Sequence, residues 1–185
     1  MNKAVFLDRD GTIIEDMGYL SDIEGIKPFP EAAKAIKTLN DNGFKVIVIT
    51  NQSGVARKLV TEDKVRQINQ KVIDLFKSKG ADLKGAYYCP HHPQIGEEPY
   101  KKNCNCRKPG PGMILAAAKE HDIDLKRSFM VGDKRSDVGA GKNCGLKTVF
   151  LTSSIFASKD EVKADYFAAD MMQAAEWILK EEGKR

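Results

Sequence analysis

Ala4-Val5-Phe6-Leu7-Asp8-Arg9-Asp10-Gly11-Thr12-Ile13-Ile14 is the stretch that decides how this chain folds. Four apolar residues run into two carboxylates separated by one residue, and a Gly-Thr pair follows at once. A short apolar run of this kind reads as a strand buried on both faces. Gly11 then lets the chain turn away. The two acids therefore stand at the carboxyl end of a buried strand, which is where open α/β sheets bind ligands. Asp8 and Asp10 are expected to hold a metal and to take part in phosphoryl chemistry.

Working outward, the rest of the chain alternates in the same way. After a first strand at Lys3 to Leu7, residues 11–29 contain Gly18, Gly25 and Pro28 and read as a flap over the site. Pro30-Glu31 opens a helix over about 30–41, and Asn42-Gly43 stops it. Phe44 to Ile49 is a second buried strand, followed by a polar loop from Thr50 to Gly54. Thr61-Glu62-Asp63 starts a helix that runs to about Lys79. Leu83 to Tyr88 is a third strand. After residues 89–112, a segment rich in proline, cysteine and histidine, come a helix over 112–121, a strand from Ser128 to Val131, a small-residue helix over 135–143 and a strand from Lys147 to Leu151. A short Tyr166-Phe167 strand and a helix from Met171 to Glu181 close the chain. Strands alternating with helices predict a three-layer α/β/α fold with a central parallel sheet and right-handed crossovers.

Length and composition agree with one domain over residues 1–185. The 185 residues are 42% hydrophobic and 30% charged. Apolar runs reach only strand length, which excludes a membrane span. Met1-Asn2-Lys3 leads straight into the first strand without a signal-like apolar region, so a cytoplasmic protein is expected. A net charge of +4 is too mild to argue for nucleic acid. The basic pairs Arg57-Lys58, Arg107-Lys108 and Lys134-Arg135 stand beside the candidate site loops, a pattern that suits a small anionic substrate. A monomer is expected.

If the strands are parallel, Asp8 and Asp10, Thr50 and Asn51, and Asp133 and Asp137 meet at one sheet edge. Hydrolysing a phosphate monoester needs a nucleophile, an acid for the leaving oxygen, and positive charge on the equatorial oxygens. Crowded carboxylates are costly without a cation, and oxygen-only ligands suit Mg²⁺. Lys108 can supply further positive charge. These features resemble the haloacid dehalogenase superfamily of phosphatases. Four motifs match in order: Asp8-x-Asp10-Gly11-Thr12, Thr50 after a hydrophobic strand, Lys108, and Gly132-Asp133 with Asp137 four residues on. The resemblance implies that Asp8 is the nucleophile and forms an aspartyl-phosphate. It makes Asp10 the general acid and later the base. Mg²⁺ would be held by Asp8, the main-chain carbonyl of Asp10 and Asp133, while Thr50 and Lys108 would bind the transferring phosphoryl oxygens. Asp137 orients Lys108 or a metal-bound water, or is a solvated acid at a helix start. A phospho-accepting receiver module uses a similar acidic pocket with Thr and Lys. The Gly-Thr after Asp10 and the cysteine-rich loop before Lys108 argue against that alternative.

Cys89-Pro90-His91-His92-Pro93 and Cys104-Asn105-Cys106 form two clips whose thiols and imidazoles suit tetrahedral Zn²⁺. In a cytoplasmic chain a disulfide is the weaker reading. Spacing alone leaves His91 and His92 both open. Cys144 is expected in the core, and His121 as a solvated residue at a helix end. The zinc clips resemble a narrower branch, the histidinol-phosphatase and heptose-bisphosphate-phosphatase group, whose members lack a large cap domain. That branch has Cys-x-His, which selects Cys89, His91, Cys104 and Cys106 as ligands. Four protein ligands leave no open position, so the zinc is expected to be structural and to place Lys108 through the loop over about 89–109.

Thr50-Asn51-Gln52-Ser53-Gly54-Val55-Ala56-Arg57, Cys89 to Pro93, and Cys106-Arg107-Lys108-Pro109 resemble the heptose-bisphosphate side of that branch. Lys58, where those enzymes often carry Gly, departs from it. A small phosphorylated sugar is the implied substrate, with Asn51, Gln52, Ser53, Arg57, Arg107 and Lys134 as its binding residues. Arg107 and Lys134 are the candidates for a second phosphate, since Arg grips phosphate bidentately. Arg107 has the alternative of propping the zinc loop.

Overall fold

The computed structural model describes residues 1–152 and 162–184. Its sheet has six parallel strands, β1 (Lys3–Leu7), β2 (Phe44–Asn51), β3 (Leu83–Cys89), β4 (Phe129–Gly132), β5 (Lys147–Leu151) and β6 (Tyr166–Ala168), in the order β3-β2-β1-β4-β5-β6. The helices are α1 (Ala32–Asp41), α2 (Glu62–Ser78), α3 (Gly112–His121), α4 (Arg135–Asn143) and α5 (Met171–Glu182).

The alternation of side chains along β1 explains the three layers. Val5 and Leu7 join one apolar cluster with Ile36 and Leu39 of α1, Ile68, Val72 and Phe76 of α2, and Ala174 and Ile178 of α5. Ala4 and Phe6 point the other way, into a cluster with Met113, Ile114 and Ala117 of α3 and Ala140 of α4. Both faces of the strand are thus buried, as an unbroken apolar run requires.

Several boundaries differ from the sequence expectation. Strand β2 runs two residues past Ile49, because Thr50 and Asn51 pair in register with Tyr88 and Cys89 of β3. The site residue Thr50 is therefore held in a ladder and not in a loop. Helix α1 starts at Ala32, after a turn at Pro30-Glu31. Ser128 precedes β4. Its hydroxyl accepts from Ala4 N at 2.9 Å and donates to Asp124 O at 2.6 Å, so it ties β1 to the approach of β4.

Strand β1 lies between β2 and β4. The chain leaves β1 toward one side of the sheet and returns to its other side, which makes the β1–β4 junction the switch point where such sheets open a crevice. The flap is rooted by Phe29 N donating to Ile13 O at 3.1 Å and Glu15 N donating to Lys27 O at 2.8 Å. Among the described residues, the flap's one helical element is a single 3-10 turn over Ile23–Gly25. No helix of the described residues is long and apolar enough to cross a membrane.

Candidate active site

Asp8 follows β1, and its amide donates to Val131 O of β4 at 3.0 Å. The chain then turns at Gly11, whose φ is +82°. A Cβ added there would meet Asp133 Oδ2 at 2.3 Å. The glycine thus serves both the turn and the close approach of Asp133, and Thr12 Oγ1 donates to Asp133 Oδ1 at 3.4 Å.

Lys108 is the charge around which the carboxylates gather. Its buried ammonium lies 2.8 Å from Asp8 Oδ1 and 2.7 Å from Asp137 Oδ1, and donates to Ile49 O at 2.7 Å. Asn51 clamps the Lys108 backbone, donating to its carbonyl at 3.1 Å and accepting from its amide at 3.0 Å. Asp137 is 0% exposed and accepts from Lys134 N at 2.9 Å at the start of α4. It therefore both orients Lys108 and caps a helix, which excludes the solvated-acid reading.

Burial works to raise the pKa of Asp8, but the charges of Lys108 and then Lys134 outweigh it and hold this carboxyl below its ordinary range. The group is ionised, as a nucleophile must be. Burial tends to discharge Lys108, and Asp137 and Asp8 together reverse this and keep it protonated. Asp137 carries the residual conflict. Burial, with the nearby charge of Asp8, pushes it up to about 7 against the pull of Lys108. Lys108 and the Arg9 amide at 2.8 Å both take Oδ1 of the buried Asp8, which itself lies beneath the residues that line the cavity.

Carboxylate oxygens of Asp8, Asp133 and Asp137 lie within 4.8 Å of one another, all three buried. Lys108 alone cannot offset three crowded acids, and a bound cation would relieve the rest of their repulsion. The all-oxygen donor set suits a hard cation such as magnesium, and the missing Cβ of Gly11 is what lets the Asp133 carboxylate come in close to the turn after Asp8.

Asp10 points inward. Arg9, 1% exposed, donates to both of its oxygens at 3.0 to 3.2 Å, and Gln52 Nε2 donates to its Oδ2 at 2.8 Å and to Thr50 Oγ1 at 2.9 Å. The guanidinium also reaches Asn69 Oδ1 on α2 at 2.7 Å.

Above these groups opens a cavity of about 580 Å³, lined in part by Asp10, Asn51, Gln52, Ser53, Lys108, Arg107 and Lys134. Its wall also includes Asp16, Tyr19 and Ser136, which the sequence reading missed. Asp16 pairs with Lys134 at 3.0 Å and so ties the flap to the head of α4. Arg107 lines the cavity and also donates to His91 O at 3.0 Å, which ties it to the cysteine-rich loop. Arg57 is not part of the wall. Its guanidinium lies 5.7 Å from the Tyr19 ring centre, because the flap brings that ring over it.

Cys89, His91, Cys104 and Cys106 form a second cluster that could hold a metal ion. The sulfurs are 3.2 to 3.5 Å apart, and His91 Nδ1 is 3.4 and 3.6 Å from Cys106 and Cys89. All four cysteines of the chain are free. An ion with sulfur bonds of about 2.3 Å needs sulfurs about 3.8 Å apart, so a few tenths of an ångström of opening admits one. Burial drives the thiols of Cys89 and Cys106 up, and a central cation would release those protons. His92 lies outside the cluster. Its Nδ1 accepts from the amides of Gln94 and Ile95 at 3.1 and 3.0 Å. The loop packs on the turn that follows β2 at Gly96, with φ +94° and a position where a Cβ would meet Ala56 O at 2.2 Å. His121 is half-buried against Tyr87, whose hydroxyl lies 3.1 Å from its Nε2, because β3 brings the ring beside the end of α3. This departs from the solvated residue expected. Cys144 is half-buried at the end of α4 and packs against the α3 face of the core.

A parallel sheet with acids after β1 and β4, a threonine one residue before the end of β2 and a lysine aimed back at the first acid defines a class. Models of that class match two stretches of this chain, a haloacid dehalogenase-like hydrolase model over residues 5–75 and an HAD-hydrolase-like model over 105–174. The chain belongs to the haloacid dehalogenase-like hydrolases. Among curated proteins, the D-glycero-beta-D-manno-heptose-1,7-bisphosphate 7-phosphatase of Photorhabdus laumondii is 40% identical over 182 residues, covering 96% of this chain and 97% of the relative. The enzyme of the same name from Pasteurella multocida is 43% identical over 154 residues, 83% of each chain. Among solved structures, the D,D-heptose 1,7-bisphosphate phosphatase of B. bronchiseptica, complexed with magnesium and phosphate, superposes with a TM-score of 0.83 at 28% identity, covering 97% of this chain and 99% of that one.

Proposed function

We propose that this chain is a magnesium-dependent phosphatase that removes the C7 phosphate of D-glycero-D-manno-heptose 1,7-bisphosphate and leaves heptose 1-phosphate, a precursor for nucleotide-activated heptose. The observation that carries the chemistry is the buried Asp8–Lys108 contact at 2.8 Å, with Asp8 kept ionised. The substrate rests on relatives about 40% identical over nearly the whole chain and on Arg107 and Lys134 lining the cavity, where a second phosphate needs positive charge.

In this reading a carboxylate oxygen of Asp8 attacks phosphorus. The Asp8 O–P bond forms as the bond from phosphorus to the sugar oxygen breaks, and Asp10 gives that oxygen a proton. Water then attacks the aspartyl-phosphate, Asp10 takes its proton, and Asp8 is released with inorganic phosphate. Lys108 and Thr50 bear on the phosphoryl oxygens. Magnesium would be held by Asp8, Asp133 and the Asp10 carbonyl, and when bound it supplies positive charge to those same oxygens. Zinc in the Cys89, His91, Cys104 and Cys106 cluster would fix the loop that ends at Lys108. Residues 1–185 act as one catalytic domain.

The test is a panel of phosphate esters assayed with magnesium. The heptose bisphosphate is expected to exceed histidinol phosphate in kcat/KM, and the reverse order would remove the substrate assignment. Asp8→Asn is expected to abolish sustained phosphate release. Release that persists in that variant would remove the nucleophile.

A further inference from the structure

Arg9 and Asn69 are buried polar residues that the chemistry above leaves without a task. We infer that Asn69 is a positioning residue for the Asp10 carboxyl, acting through Arg9. The inference rests on the proposed role of Asp10 as proton donor to the leaving oxygen.

Asn69 stands in the middle of α2, on the apolar stripe made by Val65, Ile68, Val72 and Phe76. It is 5% exposed. Its amide is turned so that Oδ1 accepts from Arg9 Nη1 at 2.7 Å. The price is that Nδ2 has no hydrogen-bond partner among the described residues. A buried amide donor left unmade costs about 1–3 kcal/mol, and an apolar side chain would suit this helix face better. Apolar packing of α2 therefore does not account for an asparagine here, whereas the aim of its oxygen at the buried Arg9 does.

The geometry shows what that aim achieves. A guanidinium is a rigid plane of five donors. Arg9 lays one edge on Asp10, with Nε 3.2 Å and Nη2 3.1 Å from Oδ1 and Nη2 3.0 Å from Oδ2. Asn69 pins Nη1, and the plane of Asp10 is then set from α2, 60 residues away along the chain. Gln52 holds Oδ2 from the end of β2. Asp10 is thus clamped from two independent elements, which together set where its carboxyl stands in the cavity wall.

Leaving groups separate this role from a structural one. A sugar alkoxide must be protonated as its bond to phosphorus breaks, whereas p-nitrophenolate leaves without a proton. General acid catalysis contributes roughly 10²- to 10⁴-fold, and misplacing the acid forfeits part of that factor. Asn69→Leu keeps the volume and removes the acceptor. It is expected to lower kcat/KM on the heptose bisphosphate by about tenfold or more and on p-nitrophenyl phosphate by less than about threefold. Asn69→Ser, too short to reach Arg9, gives the same split if the leucine variant folds poorly, and thermal unfolding of each variant reports its folding. Equal losses on both substrates, or no loss on either, would overturn the inference. Asp10→Asn is the control. If it lacks the split, the proton-donor reading of Asp10 fails. If it shows the split and both Asn69 variants do not, the positioning role alone fails.

Discussion

Replacing Lys108 by methionine tests the charge balance of the site directly. The ammonium sits 2.8 Å from Asp8 and 2.7 Å from Asp137, and Asp8 and Asp137 are 4% and 0% exposed. Removing one partner of a buried ion pair costs about 3–5 kcal/mol. Protonation of Asp8 alone gives a figure of the same size. Without Lys108, burial is the largest influence left on Asp8, and the carboxyl escapes by taking a proton. With an unfolded value of 3.8, that escape costs at most 1.36 × (7.5 − 3.8), about 5 kcal/mol near pH 7.5, and at most about 1.6 kcal/mol near pH 5. The sign follows. In the native protein the lowered Asp8 value adds stability above its unfolded value, and this is lost as pH falls through the folded value. In the variant a raised value costs stability above 3.8 and costs less as pH falls toward it. The gap between the two proteins is therefore widest near neutrality and closes in acid. At about 2–4 °C per kcal/mol for a chain of this size, the variant should melt about 10 °C lower in EDTA near pH 7.5 and only a few degrees lower near pH 5. Adding Asp137→Asn removes one of the stranded carboxylates and should recover part of the loss. Calorimetry in EDTA at the two pH values decides the matter. A drop below about 2 °C near pH 7.5, or a gap that widens in acid, would refute the charge argument.

The cysteine cluster should carry about one zinc per chain by metal analysis, retained in mild EDTA that strips magnesium. Cys104→Ser should cost folding more than chemistry, and unfolding temperatures equal to those of the parent would sink the structural role. Lys58 has a φ of 60°, in the left-handed region that costs a side chain about 1–2 kcal/mol. Lys58→Gly relieves that strain and forfeits about 0.5–1 kcal/mol of chain entropy, so urea unfolding should show a net gain of about 0.5 kcal/mol. A loss would show that the exposed pair of Lys58 with Glu97, at 2.8 Å, outweighs the strain.

The same position shows what a sequence comparison alone leaves open. Lys58 stands out from its family resemblance as a change of side chain. Its backbone angle gives a reason for glycine there, a turn that glycine adopts without strain. Arg57 illustrates the converse. Its place in a shared motif pointed to the substrate, but only the folded flap shows its guanidinium over Tyr19 and outside the cavity wall.

What the sequence by itself determined is what short-range physics dictates. Apolar runs bounded by glycine and polar residues set the strands, 3.6-residue stripes set the helices, and acids at strand ends mark one sheet edge. The Cys-x-His and Cys-x-Cys clips likewise declare themselves over two residues. The tertiary structure alone decided the partners. Asn51 meets Lys108 across 57 residues, Lys134 meets Asp16 across 118, and Arg9 meets Asn69 across 60. No local pattern encodes such pairs, because each depends on which strands are neighbours and how far each helix slides along the sheet. A polar residue on an apolar stripe, as Asn69 is on α2, was the one local sign of them, and it could not say what the residue would face.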